Sequence, residues 1–279
     1  MARWRKLGII AGGGGLPVQV AASCAGLDEP FHVIRLRNLS DPELARYPGE
    51  DCAIGEAGKI LRVLAQAECD AVVFVGVVKR PSFGDLKADW RGVALLPKIV
   101  SAASRGDASI IDVLVKTVED EGIRVVGVEE VVGELTAPRG AIGNRKPSVQ
   151  NIADIQKAAK IVRLLGAFDV GQGAVVSNGH VLAIEAAEGT DAMLERCALL
   201  PNSLSKGGVL LKRPKPNQDL RVDLPVVGTE TIHRAIHAEL AGIAIEAGNA
   251  LILDKAKVIA QANQAGLFVY GFEPSEVGE

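Results

Sequence analysis

Aromatic residues are scarce in this chain: six Phe, two Trp and two Tyr among 279 residues. Binding to single-stranded nucleic acid needs aromatic platforms beside clustered cations. Neither that pairing nor an excess of positive charge is present, the formal net charge being −3. Nucleic acid is therefore not an expected partner. The four cysteines, Cys24, Cys52, Cys69 and Cys197, are scattered and form no Cys-x-x-Cys. That argues against a structural zinc site and a disulfide framework, and for buried thiols in a reducing compartment. No His-Glu-x-x-His and no Gly-x-Ser-x-Gly occurs, so neither a zinc protease helix nor a nucleophile elbow is read. No run approaches the roughly 20 apolar residues that cross a bilayer. The longest, Ala71 to Val78, is broken by Gly76. Met1 to Lys6 is basic, but the apolar stretch after it dissolves into glycines, so no secretory signal is read.

What is present suits an α/β protein. Apolar residues make up 48% of the chain and glycine is abundant at 31. Such a core is aliphatic, and the glycines suit tight strand-to-helix turns. Strands are expected at Leu7–Ala11, Phe31–Leu36, Ala71–Val78 and Arg124–Val128. Helices are expected between them, at Leu16–Ala25, Gly58–Glu68 and Ser109–Glu121. This alternation predicts a Rossmann-like parallel-sheet domain over residues 1–132. Residues 133–150, with Pro138, Gly140, Gly143 and Pro147 and no periodicity, read as a linker. A second α/β domain, residues 151–279, opens with a helix at Ile152–Leu165. Two strands, Gly173–Ser177 and His180–Glu185, follow around Asn178-Gly179, the strongest short hairpin signal. Further helices are expected at Thr190–Leu199, Thr231–Ala247 and Lys257–Ala265, and strands at Gly208–Leu211, Leu251–Asp254 and Leu267–Gly271.

The most informative segment is Lys212 to Gly228. Between Lys212 and Arg221 it carries Lys212, Arg213, Lys215 and Arg221 against Asp219 alone, within a proline-stiffened loop, and Asp223 follows. Cations for phosphate oxygens, next to a carboxylate able to hold a metal or activate water, suit phosphate chemistry. A solvated charged loop is the plainer reading. The turn Glu185 to Asp191 supplies Glu185, Glu188, Thr190 and Asp191. Helix capping explains Thr190 and Asp191, whereas Glu185, Glu188 and Asp191 together with Asp223 suit a magnesium ion shared with substrate phosphates.

Gly12, Gly13 and Gly14 lie between the first strand and helix, where backbone N–H groups receive phosphate, and a tight structural turn is the alternative. A dinucleotide fingerprint fails: Pro17 stands where a third small residue is needed, and Arg35 and Arg37 replace the ribose-binding acid. Lys79 and Arg80, beyond the Ala71 strand, are anion contacts or a solvated loop. His233 and His237, four apart, read as boundary histidines.

The segments Leu7–Gly14 with Leu16-Pro17, Ile54–Lys59, Asp169–Val176, Glu185–Asp191 and Lys215–Pro225 together resemble the two-domain UDP-2,3-diacylglucosamine pyrophosphatases of lipid A biosynthesis. This type is distinct from the calcineurin-like phosphoesterases. The resemblance implies a hydrolase that cleaves the diphosphate of UDP-2,3-diacylglucosamine to UMP and 2,3-diacylglucosamine 1-phosphate, with attack at the sugar-side phosphorus. It implies Mg²⁺ as cofactor and an essential aspartate, Asp223. On this reading Gly12, Gly13, Gly14, Lys79, Arg80, Gln172, Gly173, Thr190, Lys212, Lys215, Gln218 and Arg221 contact substrate, and Asp223, Glu185, Glu188 and Asp191 serve the metal. The partners are then a nucleotide-sugar lipid, transiently the inner-membrane surface, and a second copy in a homodimer. The location is cytoplasmic, peripheral to the inner membrane. A non-hydrolytic sugar-nucleotide or phospholipid binding module, a scaffold for other lipid A enzymes and an NAD(P) oxidoreductase are the alternatives.

Overall fold

The computed structural model describes residues 4–78, 88–103, 107–201, 206–216 and 218–278. The chain divides into two compact units, Met1–Gly133 and Glu134–Glu279.

The first unit runs β1 (Leu7–Ala11), α1 (Leu16–Gly26), β2 (Phe31–Leu36), β3 (Gly49–Cys52), α2 (Ala57–Gln66), β4 (Ala71–Val75), α3 (Trp90–Ala103), α4 (Asp107–Glu119), β5 (Arg124–Val126) and α5 (Val128–Val131). All five strands are parallel, in the order β3-β2-β1-β4-β5. This is the doubly wound order, which reverses direction between β1 and β4. Strand β1 is buried along its whole length, as a central strand covered on both faces must be. Strand β4 is shorter than expected. It ends at Val75, because Gly76 turns to a φ of +91° and Val77 and Val78 emerge into solvent.

The second unit runs β6 (Gly140–Ala141), α6 (Val149–Gly166), β7 (Gly173–Ser177), β8 (His180–Ile184), α7 (Gly189–Ala198), β9 (Val209–Lys212), β10 (Val226–Val227), α8 (Thr229–His237), β11 (Gly242–Glu246), β12 (Leu251–Ile252), α9 (Lys255–Ala265) and β13 (Phe268–Phe272). Six strands form a mixed sheet, β6-β13-β11-β9-β7-β8, and β10 pairs with β12. Strands β13, β11 and β9 are parallel, while β6, β7 and β8 run antiparallel to their neighbours. Side chains alternate between two cores. Val175, Leu210 and Ile243 pack with Met193, Leu194, Ile232 and Val258. Ala174, Leu211 and Ala244 pack with Ile155, Ala158 and Val162. Helices α7, α8 and α9 therefore cover one face and α6 the other.

Two expectations are corrected here. Residues 134–150 are built into the second unit instead of spanning a gap: Gly140 and Ala141 pair with β13, and Ala137 and Ile142 enter its core. The long helix expected at Thr231–Ala247 stops at His237. Glu239 takes a left-handed φ of +52°, and Gly242–Glu246 becomes a fully buried strand. Ile232, Ile236, Leu240 and Ile243 fit a helical spacing, but Ile243 belongs to the sheet.

Candidate active site in the second unit

The hairpin sets the site. Asn178 and Gly179 adopt φ of 49° and 78°, which a type I′ turn requires at both positions. Buried Asp154, on α6, accepts from both turn amides, Asn178 N at 3.0 Å and Gly179 N at 2.7 Å. With the turn pinned, register follows: Gly173 pairs with Lys212, and the Glu185 amide donates to the Gly173 carbonyl at 2.9 Å. Glu185, Gly173 and Lys212 thus lie side by side across β8, β7 and β9. The two-residue alternation of strands places Lys212 on the face of Leu210, under α7 and α8.

Lys212 is buried, and its ammonium donates to the Val226 carbonyl at 3.1 Å. Burial pulls its pKa down, while the charges of Glu185, Asp191 and Asp223 push it back up. Charges from the acidic turn and from the basic loop therefore act on one ammonium group. Asp223 is half-buried. Burial raises its pKa, opposed by Lys215, a hydrogen bond from Gln218 and Lys212, and reinforced by Asp169.

The loop after β9 is internally braced. The Lys215 amide donates to Gln218 Oε1 at 2.9 Å, and Gln218 Nε2 donates to the Asp223 carbonyl at 2.6 Å. The Lys215 ammonium pairs with Asp169, which lies on the turn before β7, 46 positions away, and to which the sequence assigns no role. Behind the loop, Arg213 and Glu246 form a buried ion pair at 2.8 Å, and Asn249 donates to Glu246 at 2.7 Å.

Arg221 is turned towards Asp219, with bonds of 3.0 and 2.7 Å to its carboxylate. That contact holds Asp219 below its usual pKa. Two buried side-chain oxygens at the site, Gln172 Oε1 and Glu185 Oε2, have no hydrogen-bond partner. Buried polar groups are nearly always paired, so these two oxygens are acceptors free to receive a donor from a bound molecule.

The expected metal set does not assemble. Glu188 pairs with Arg196, and Asp191 faces Arg234 at 3.6 Å. Among the described residues no group of three His, Cys, Asp or Glu is arranged to hold a metal ion. Magnesium, however, is commonly held by one or two carboxylates together with substrate phosphates and water. Asp223 fits that role, since it is half-buried, has no ion pair with an arginine among the described residues, and carries a burial cost that added positive charge would offset. Thr190 is not a cap either: α7 begins at Gly189, one position earlier, with Glu188 at the N-cap. It sits in the first turn, beside Asp191.

In the first unit, Gly12 and Gly13 do not offer their amides to a phosphate. Gly12 N donates to the Val75 carbonyl at 2.7 Å and Gly13 N to the Val77 carbonyl at 2.9 Å. A Cβ at Gly76 would lie 2.6 Å from the Gly13 oxygen, so these glycines permit a close backbone crossing. Gly14 has a φ of +85° and open space around it. Lys79 and Arg80 lie outside the described residues. His233 and His237 are exposed on α8 and border a shallow depression with Arg234 and Glu230. All four cysteines are buried, and burial pushes each thiol up to about 11, which removes them as nucleophiles. Among the described residues no helix is long and apolar enough to cross a membrane.

Comparison with known proteins places the chain in a family. The model of the LpxI N-terminal domain matches residues 6–135, and that of the LpxI C-terminal domain matches residues 138–270. The chain is 50% identical over 277 residues to UDP-2,3-diacylglucosamine pyrophosphatase LpxI of Caulobacter vibrioides, an alignment covering 98% of this chain and 99% of that protein.

Proposed function

The chain belongs to the LpxI family, and on that footing we propose that it hydrolyses the diphosphate of UDP-2,3-diacylglucosamine in lipid A biosynthesis. Breaking one P–O bond of the diphosphate with water yields UMP and 2,3-diacylglucosamine 1-phosphate. The observation that supports the reading is the buried Lys212 ammonium, on which the charges of Glu185, Asp191 and Asp223 act.

Phosphoryl transfer asks a protein chiefly for positioning and for charge stabilisation. Lys212 and Lys215 supply positive charge for the diphosphate oxygens. Lys212 does so from a buried site, where a charge acts more strongly than it does in water. Asp223 orients the attacking water or holds Mg²⁺, and Gln218 fixes the backbone from which its carboxylate projects. Bound there, Mg²⁺ would neutralise charge developing on the phosphate oxygens. Gln172 Oε1, buried and unpaired, suits a sugar hydroxyl donor. Arg221, committed to Asp219, shapes the loop instead of serving as a primary phosphate contact.

The test is release of UMP from UDP-2,3-diacylglucosamine by the purified protein, with and without Mg²⁺. Turnover that needs the ion supports both parts of the proposal. Binding of the substrate without release of UMP would make the chain a binding module.

A further inference from the structure

Building on the hydrolase reading, we propose that Glu185 is the positioning residue for Lys212, reaching it across the bare backbone of Gly173, and that it does not ligate the cation. The three residues occupy adjacent positions on neighbouring strands: Gly173 pairs with Lys212 on one side and accepts the Glu185 amide on the other. Strands lie about 4.8 Å apart, so the outer two backbones are separated by about 10 Å, within reach of two long side chains. Both side chains point to the face covered by α7. Glu185 is only 6% exposed and its Oε2 has no hydrogen-bond partner.

The passage between them exists because residue 173 has no side chain. A Cβ there would lie 2.5 Å from Glu185 Oε2. An isolated buried carboxylate is very costly, and Lys212 is a buried cation on the same face, on which the Glu185 charge acts. Glu185 therefore steadies the ammonium, which the Val226 carbonyl also holds. It acts on the diphosphate through Lys212.

Three variants test this: Glu185→Gln, Gly173→Ala and the double variant. Gly173→Ala changes no charge and places a methyl group in the passage. Each single variant, shown to be folded by circular dichroism, is expected to lower kcat on the order of 10- to 100-fold, less than removal of a group that touches the reacting phosphate. The Mg²⁺ concentration for half-maximal rate should be unchanged, and the double variant should be no slower than Glu185→Gln alone. Lysine-labelled NMR gives a readout free of turnover: the Lys212 ammonium signal, assigned by its loss in Lys212→Met, should shift in both single variants. The proposal is overturned by a raised Mg²⁺ requirement in Glu185→Gln, by multiplicative losses in the double variant, or by an unmoved Lys212 signal. If the wild-type protein releases no UMP while the NMR signal shifts as stated, the fault lies in the hydrolase reading and not in the pairing.

Discussion

Gln218 donates its side-chain amide to the carbonyl oxygen of Asp223 at 2.6 Å, and its other end accepts from the Lys215 amide at 2.9 Å. One side chain therefore spans the loop and ties the backbone of Lys215 to that of Asp223, the two residues proposed to face the phosphate and to serve the reaction. Gln218→Ala removes both bonds from a buried position, a loss of about 1 to 3 kcal/mol. Because the loop then loosens around Asp223, kcat should fall further than stability alone accounts for. Urea unfolding and steady-state kinetics on one preparation check both effects.

Asp223 predicts opposite effects on stability and rate. Burial holds its carboxyl above the ordinary range, so the folded state takes up the proton more readily than the unfolded chain does. The contribution to stability is then greatest at low pH and is lost as pH rises through the raised folded value. Asp223→Asn should melt higher than wild type at neutral pH, and the gap should close as pH is lowered below about 4, the unperturbed aspartate value. The same shift puts the acid limb of kcat/KM in the wild-type enzyme above that value. Thermal melts and rates across pH 4 to 8 test the pair of statements.

The buried pair Arg213–Glu246 should behave as a structural clamp. Arg213→Met leaves the carboxylate of Glu246 buried without its cation, which costs about 3 to 5 kcal/mol. Arg213→Met combined with Glu246→Leu should cost clearly less than the sum of the two single changes. Equal additivity in a double-mutant cycle would show that the two side chains do not depend on one another.

Asp154 anchors the hairpin turn through two amides, at the opposite end of β7 from Gly173. Asp154→Ala should destabilise the second unit by about 2 to 4 kcal/mol, the scale of losing hydrogen bonds to a charged acceptor. Turnover well below the melting temperature should be nearly unaffected, so a lower melting temperature with normal kcat is the expected result.

The legible parts of this protein are those in which local chemistry decides. Asn178-Gly179 names its own turn, since few residues tolerate the positive φ it demands. The prolines and cations after Lys212 announced a charged, braced loop with Asp223 beside it. What was hidden depends on register and distance. Nothing local tells that Gly173 opens a passage between Glu185 and Lys212, because that follows from pairing two strands on either side of β7. Asp169 is joined to Lys215 only by the fold. The apolar spacing through Ile243 misleads because a helical stripe and a buried strand draw on the same residues, and the break is set by Glu239. Gly12 and Gly13 offered a phosphate nest in sequence, and the neighbouring strand end consumed their amides.

In the proposed function Asp223 is the carboxylate that makes the diphosphate cleavable. The direct measurement compares UMP release from UDP-2,3-diacylglucosamine by the wild-type protein and by Asp223→Asn, with Mg²⁺ saturating and folding verified for both. The expected result is a loss on the order of 10²-fold or more in kcat for the variant, the scale of removing a principal stabilising group. A well-folded Asp223→Asn protein that releases UMP at the wild-type rate would contradict it.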